Sequence, residues 1–452
     1  MVPQSPDPIV RSVLDLDVYK LFMAQVILAK EHSDVPVRYQ MVCRTPDVDL
    51  RHFIDIGELR EQIQHVQSLG FRVDEIEYLW KDLGFPRSFA NRLHRVNLPT
   101  PTIETSEGRT KEIPWGIDIS VEGSWVDSIW WETIILSIVN ELYSRGRLKK
   151  DSAARSKDDL DRVLRTTTRI GEERLMRKIE ALKPHPRLTF IEFGTRRRFS
   201  GQWQQFVDEA LMNELPTQMV GTSNVNLSRL FGTSPSGTIA HEMFMVYAAI
   251  STMGINPFTD DLMRNPDGIS MPFVQGAWDS VTAVLRDWWE VLGQPYSIAL
   301  TDTFGTNSFL KDFNCDYNAE RWKGVRQDSG DPFKFVNEKV IPFYESIGVD
   351  PFDKWVIFSD GLDVEKIIAL WEEFHKKVWC GFGWGTTLTN DMGIDTLSLV
   401  MKAVAVGDDD GNWHPTVKLS DNPAKAIGPP ELIEAYKRTF QAEQDEREEC
   451  KV

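Results

Sequence analysis

From about residue 186 onward the chain repeats one local pattern: a short apolar run, a knot of polar or glycine residues, then an amphipathic stretch. LTFIEFGTRRR precedes a segment in which Trp203, Phe206, Val207, Ala210 and Leu211 share one helical face. QMVGTS, GTIAHE, YSIALTD, GVRQDSG, WVIFSDG and VWCGFGWGT restate the theme. Strands that are apolar along their length and chemically rich only at their C-terminal ends suit a parallel β/α barrel. Such strands are buried on both faces, and the active site collects at that one rim. No sequence repeat of fixed period accompanies the pattern, so the recurrence is architectural.

The N-terminal quarter reads differently, as α+β. Val18, Phe22, Val26 and Ala29 follow helical spacing, with Asp15 or Asp17 available as a cap. Val35, Val37, Tyr39 and Met41 alternate with polar neighbours, as in a half-buried strand. Ile56, Leu59, Ile63 and Val66 mark a second helix that stops at Gly70. The apolar stretch from Trp125 to Val139 carries Asp127 and Glu132, which makes it a buried helix and not a membrane span.

A length of 452 residues allows about three domains, or one large barrel with an attached domain, at roughly 150 residues each. The 51 basic and 68 acidic side chains leave a formal charge of −17, which excludes a general binder of nucleic acid or anionic membrane. Cys43, Cys315, Cys380 and Cys450 lie far apart with no CxxC pair, which predicts reduced thiols in the cytoplasm and no zinc site. MVPQSPDPIV has no basic stretch or apolar core, so no secretory signal is expected. The charge-rich run AEQDEREECKV from Ala442 predicts a solvated helix or frayed end.

Four clusters at strand ends carry chemistry. GFGWGTT at 381–387 offers backbone N–H groups of Gly383, Gly385 and Thr386 to a phosphate late in the barrel, although a GxGxG alone equally marks a turn. GTRRR at 194–198 sets three planar guanidinium forks after a strand, at least one of which should face a ligand while others pair with acids. GVRQDSGDP at 324–332 places Arg326 to face an anion and Asp328 to take ribose hydroxyls or Mg²⁺, or else forms a capped turn. His241 in GTIAHE, beside Glu242 and within reach of Asp302, could be a nucleophile with its second nitrogen oriented by a carboxylate, or a structural histidine. GxxxxGK[ST], HExxH, EF-hand and GxSxG patterns are missing.

Taken in order, DLDVYK at 15–20, FGTRRRFS at 193–200, GTSNV at 221–225, GTIAHE at 237–242, ALTD at 299–302, GVRQDSGDP, FSDGLD at 358–363, GFGWGTTLTND at 381–391 and KLSDNPAK at 418–425 resemble the nicotinate phosphoribosyltransferase family. The resemblance runs through most of the chain. It implies an irregular, TIM-like α/β barrel over 186–399, and an α+β domain from 1–150 joined by 400–452. It implies a cytoplasmic homodimer with active sites at the interface. The implied reaction joins nicotinate to phosphoribosyl pyrophosphate with Mg²⁺, coupled to ATP hydrolysis through a phosphohistidine, in NAD salvage. His241 would be that histidine and Asp302 its orienting carboxylate. Phe193 and Tyr19 of the partner subunit would sandwich the pyridine ring. Arg196 and Arg326 would face its carboxylate and nearby phosphates, Asp328 the ribose, and Asp360, Gly361, Gly383, Gly385 and Thr386 the phosphate end. Ser223 stands where the related nicotinamide enzyme has an aspartate, which would repel a carboxylate. Gln327 and Trp384 depart from the family pattern, where a histidine and an aliphatic residue are common.

Competing expectations are the same chemistry on nicotinamide or quinolinate, another phosphosugar barrel enzyme such as an isomerase or aldolase, and a catalytically dead relative. The second would want a Schiff-base lysine at a strand end, and no cluster offers one.

Overall fold

The computed structural model describes residues 7–106, 110, 113–152, 156–259, 263–314 and 318–442. Cys315, Cys450 and all but the first residue of the charge-rich C-terminal run lie outside them. Eleven strands are assigned among the described residues: β1 Pro36–Cys43, β2 Thr102–Thr105, β3 Ile117–Ser124, β4 Phe190–Glu192, β5 Met219–Thr222, β6 Ile298–Leu300, β7 Gly324–Gln327, β8 Trp355–Phe358, β9 Trp379–Trp384, β10 Leu399–Gly407 and β11 Trp413–Pro415. They form two sheets.

The antiparallel sheet has the order β11-β10-β1-β3-β2, so its centre is made from both ends of the chain. Met41 faces Met401 across one ladder and Tyr39 faces Val121 across the other. The alternation in β1 buries Val37, Tyr39, Met41 and Cys43 on one face, as a period of two requires. The helices Trp131–Asp151 and His241–Ser251 both pack on β10.

The second sheet has the order β5-β4-β9-β8-β7-β6, with every pair parallel. Val325, Val356, Phe358 and Phe382 are fully buried, consistent with strands covered on both faces. The expected irregular, TIM-like barrel appears as an open parallel sheet: among the described residues no ladder closes it, and β5 and β6 are its edges. GTIA at 237–240, expected as a strand between them, is extended without a ladder and leads into the helix His241–Ser251. The preceding GTSPSG explains the break, since Pro235 has no N–H and the flanking glycines favour irregular backbone. The 233–240 segment still touches the edge strand β5 and β7, the neighbour of the other edge: Ser236 N donates to Thr222 O at 3.0 Å, and Arg326 Nη1 donates to Thr238 Oγ1 at 2.7 Å.

The expected helices appear as Tyr19–Ala29, Ile56–Gln67 and, for the Trp125 stretch, Trp125–Ser128 followed by Trp131–Asp151. No described helix is long and apolar enough to cross a membrane. Neither Asp15 nor Asp17 caps the first helix, whose N-cap is Val18 without a side-chain bond. Asp15 instead makes a bidentate pair with buried Arg198, 2.7 Å on each oxygen. A buried guanidinium needs a counter-charge more than a helix end needs a cap. On the helix Gly201–Glu214, Trp203, Val207 and Leu211 are buried as expected, but Phe206 is 41% exposed and stacks on Trp203. Cys43 and Cys380 are free and buried.

Candidate active site

The C-terminal ends of the parallel strands and the β10 face of the antiparallel sheet enclose a cleft of about 160 Å³. Tyr19, Phe193, Arg196, Ser223, His241, Arg326, Asp328, Asp360, Gly361, Gly383, Gly385 and Thr386 all line it, and Tyr19 comes from the same chain. Asp302 does not line it. Asp17, expected only as a helix cap, and Arg197, one of the three GTRRR arginines, also line the cleft, as do Arg44, Lys402, Lys418 and Lys425, to which the sequence assigned no role. Lys402 was legible as the polar residue in the apolar run LVMKAVAV, and Lys418 and Lys425 are the two cations of KLSDNPAK.

At one end Phe193 follows β4 and donates its backbone N–H to Trp384 O at 2.8 Å. Gly383 lies within β9, and a Cβ there would run into the Phe193 ring. Its place is therefore beside the aromatic wall, whereas Gly385 begins the short helical turn Thr386–Thr389. The Tyr19 hydroxyl donates to Glu132 at 3.1 Å, and the Arg196 guanidinium sits 5.7 Å from the Tyr19 ring centre. Arg196 also approaches Asp17 at 3.2 Å and Glu132 at 3.5 Å. Burial opposes its charge, but Tyr19, Asp17 and Glu132 outweigh it and push the guanidinium further above its ordinary value. Arg197 is pushed down to about 10 by burial and by the cations Arg196 and Arg44. Of the three consecutive arginines, two face the cleft and Arg198 is spent on Asp15.

The Ser223 hydroxyl donates to Asp17 Oδ1 at 2.6 Å. A carboxylate therefore occupies this corner although the serine position lacks one, with Arg196 as its counter-charge. Asp17 is raised by burial, against Arg196.

His241 opens its helix and is 4% exposed. Its Nδ1 meets Thr303 Oγ1 at 3.0 Å, and its Nε2 meets Asp328 Oδ2 at 2.9 Å and Lys418 Nζ at 2.9 Å. The expected orienting contact from Asp302 is not made: its Oδ1 stays 3.8 Å from Nε2, beyond hydrogen-bond reach. Its Oδ2 accepts from Ser329 Oγ at 2.5 Å and from Ser420 Oγ at 3.2 Å. Burial lowers His241 to about 4, with Lys418 adding to the effect against Asp302 and Asp328. Burial lowers Lys418 to about 8, opposed by the same two carboxylates. Asp328 works against burial and is held well below its ordinary value by Arg326, His241 and Lys425. Arg326 Nη2 is 3.0 Å from Asp328 Oδ1, and Ser359 Oγ donates to the same oxygen at 2.8 Å.

Beyond this lies a cationic stretch. Lys425 pairs with Asp360 and donates to Asp328 O at 2.9 Å. The two departures from the family pattern hold loops. Gln327 Nε2 donates to Ser329 O and Gly330 O at 2.9 Å, and Trp384 Nε1 donates to Thr387 Oγ1 at 2.6 Å. Aromatic surface at one end and a dense set of cations and carboxylates at the other suit a flat heteroaromatic ring joined to a phosphorylated sugar.

Comparison with known proteins agrees. Residues 188–444 match the model of the nicotinate phosphoribosyltransferase family, and residues 14–140 match the model of its N-terminal domain. The chain is 31% identical to nicotinate phosphoribosyltransferase from Vibrio cholerae, with TM-score 0.78 over 98% of this chain and 97% of that one. It is 28% identical to the enzyme of that name from Porphyromonas gingivalis, with TM-score 0.79 over 96% of this chain and all of the other.

Proposed function

The chain belongs to the nicotinate phosphoribosyltransferase family, and from that premise we propose that this cleft forms nicotinate mononucleotide and pyrophosphate from nicotinate and phosphoribosyl pyrophosphate, coupled to ATP hydrolysis through a phosphohistidine at His241. The observation that carries the reading is that one cleft holds the aromatic pair Phe193 and Tyr19, the cations Arg196, Arg197, Arg326, Lys418 and Lys425, and a buried histidine with a carboxylate at 2.9 Å.

In the glycosyl transfer the pyridine nitrogen bonds to sugar C1 while the C1–oxygen bond breaks and its electron pair leaves with pyrophosphate. Positive charge grows on the sugar and negative charge on the leaving group. Asp328, anionic and lining the cleft, stabilises the first; the cations stabilise the second. Phe193 and Tyr19 hold the ring so that its nitrogen meets C1, replacing a random encounter by an oriented one. Arg196 takes the nicotinate carboxylate, and its existing hold on Asp17 keeps that acid from repelling the substrate.

Mg²⁺ fits the donor set. Asp302 Oδ1 is buried with no hydrogen-bond partner among the described residues, and ligand atoms of Asp302, Asp328 and His241 lie within 4.8 Å of one another. Asp302 and Asp328, as hard oxygen donors, would hold it. When bound it neutralises charge on the phosphates.

The same reading takes 1–150 with 400–452 as one domain and 186–399 as an irregular barrel. It also makes the protein a cytoplasmic homodimer that completes its active sites at the interface. The test is product analysis with nicotinate and phosphoribosyl pyrophosphate, with and without ATP, on wild type and His241→Ala. The variant should lose nicotinate-dependent ATP hydrolysis and keep slow mononucleotide formation. Full ATP coupling in the variant sinks the phosphohistidine. Faster turnover of nicotinamide or quinolinate than of nicotinate sinks the substrate assignment.

A further inference from the structure

We propose that Glu132 is the positioning residue of the pyridine subsite, its two carboxylate oxygens fixing the Tyr19 ring and the cations Arg196 and Lys402 in one geometry. What is positioned rests on the nicotinate reading; the contacts themselves do not.

Glu132 is one of the two acids that interrupt the apolar run from Trp125 to Val139, and it is 2% exposed in the first turn of the helix Trp131–Asp151. A charge in such a place is costly unless it is paired. Its Oε2 lies 2.6 Å from Lys20 Nζ and accepts from the Tyr19 hydroxyl at 3.1 Å. Its Oε1 accepts from Lys402 Nζ at 3.2 Å and lies 3.5 Å from Arg196 Nη1. Tyr19, Arg196 and Lys402 line the cleft; Glu132 does not, and reaches it through them. Burial opposes its charge, but Lys20, Lys402 and Arg196 outweigh burial and hold the carboxyl well below its ordinary value. Lys20 is buried between Glu132 and Glu242, and Glu242 also accepts from the Tyr39 hydroxyl at 2.6 Å and from Trp125 Nε1 at 2.9 Å. The carboxylate is thus anchored from behind, and what it holds in front is substrate-facing surface.

Only a carboxylate answers this arrangement. Ammonium and guanidinium groups donate and never accept. Lys402 and Arg196 meet one oxygen and Lys20 the other, so an amide of the same shape turns its NH₂ toward a donor whichever way it sits. One rigid group therefore sets the separation between the ring that stacks on the pyridine and the cations that take its carboxylate. If Glu132 only balanced charge, the opposite would follow: deleting a negative charge behind Arg196 would strengthen its hold on an anionic substrate.

Initial rates of the full chain, with nicotinate and phosphoribosyl pyrophosphate each varied, separate the two. In Glu132→Gln the nicotinate KM should rise roughly tenfold, the worth of a lost hydrogen bond to a charged group. The phosphoribosyl pyrophosphate KM and kcat should stay within about twofold of wild type. Tyr19→Phe removes one donor, leaves the charge, and should raise the nicotinate KM about threefold. Because both variants break one unit, the double variant should show less than the product of the two effects. An unchanged or lowered nicotinate KM in Glu132→Gln overturns the proposal. So does a full product in the double variant, or a fall in kcat with equal rises in both KM values. If Glu132→Gln does not fold, a wild-type nicotinate KM in Tyr19→Phe overturns it. Tyrosine labelled with ¹³C at Cζ reads the hydroxyl contact without turnover. The signal missing in Tyr19→Phe should move in Glu132→Gln, and a signal that stays in place overturns the proposal. The expected movement in a protein whose wild type makes no mononucleotide from nicotinate would uphold the hold of Glu132 on Tyr19 and overturn the substrate reading.

Discussion

His241 owes its neutral ring first to burial and then to Lys418, and both act against protonation. Its folded value near 4 lies below the ordinary 6.5, so between these limits the unfolded chain binds more protons. Its contribution to stability is complete above pH 6.5 and is lost as pH falls toward 4. Nicotinate-dependent ATP hydrolysis should therefore show no inflection from His241 between pH 7 and 6. The upper limb should fall near pH 8, where buried Lys418, whose Nζ lies 2.9 Å from Nε2, loses its positive charge. An acid inflection at 6.5 in the pH–rate profile, or in the ring titration, defeats this assignment. The residue types around His241, Arg326 and Asp328 were legible because each sits in a dense polar knot of the sequence. The pairing was not. Asp302 and Asp328 are equally plausible partners in one dimension, and only the packing of Ser329 and Ser420 against Asp302 removes it from the histidine.

At the scale of elements, two glycines in strands have opposite uses. Gly383 leaves room for the Phe193 ring, and Gly324 leaves room for the backbone of Trp355 on the neighbouring strand β8. Gly383→Ala should displace a cleft-facing ring and raise KM for nicotinate roughly tenfold, since small misplacements of a positioned group cost that much or more. Its denaturant midpoint should change little. Gly324→Ala meets backbone that cannot swing aside and should destabilise by about 1–3 kcal/mol, read as a lower midpoint. Equal effects of the two on KM and midpoint would refute the distinction. Strand identity followed from apolar runs for β4 to β9, but GTIA satisfied the same pattern without becoming a strand. A strand needs a partner ladder as well as apolar side chains, and 237–240 is extended without one.

For the molecule as a whole, β1 is an inner strand whose partners are β3 and β10, more than 270 residues apart along the chain. A fragment ending at residue 150 loses β10 and leaves β1 with an open edge and a bare apolar face. It should melt without a cooperative transition in circular dichroism; a cooperative melt at the full chain's temperature would show that this half folds unaided. The formal charge of −17 also takes on a different meaning at this scale. Arg44, Arg197, Lys402, Lys418 and Lys425 converge on one cleft from segments up to 381 residues apart, so the local field opposes the net charge. The sequence by itself determined the class of the fold, the alternation of β1, the strand-end position of most site residues and the family. Those depend on local periodicity and on residue types in order. Only the tertiary structure decided that the parallel sheet stays open at β5 and β6, that Asp15 and Asp17 serve Arg198 and Arg196 and not a helix end, and that Thr303 and Lys418 flank His241. Each of these is settled by which buried groups satisfy one another, and that depends on distances the chain acquires when it folds.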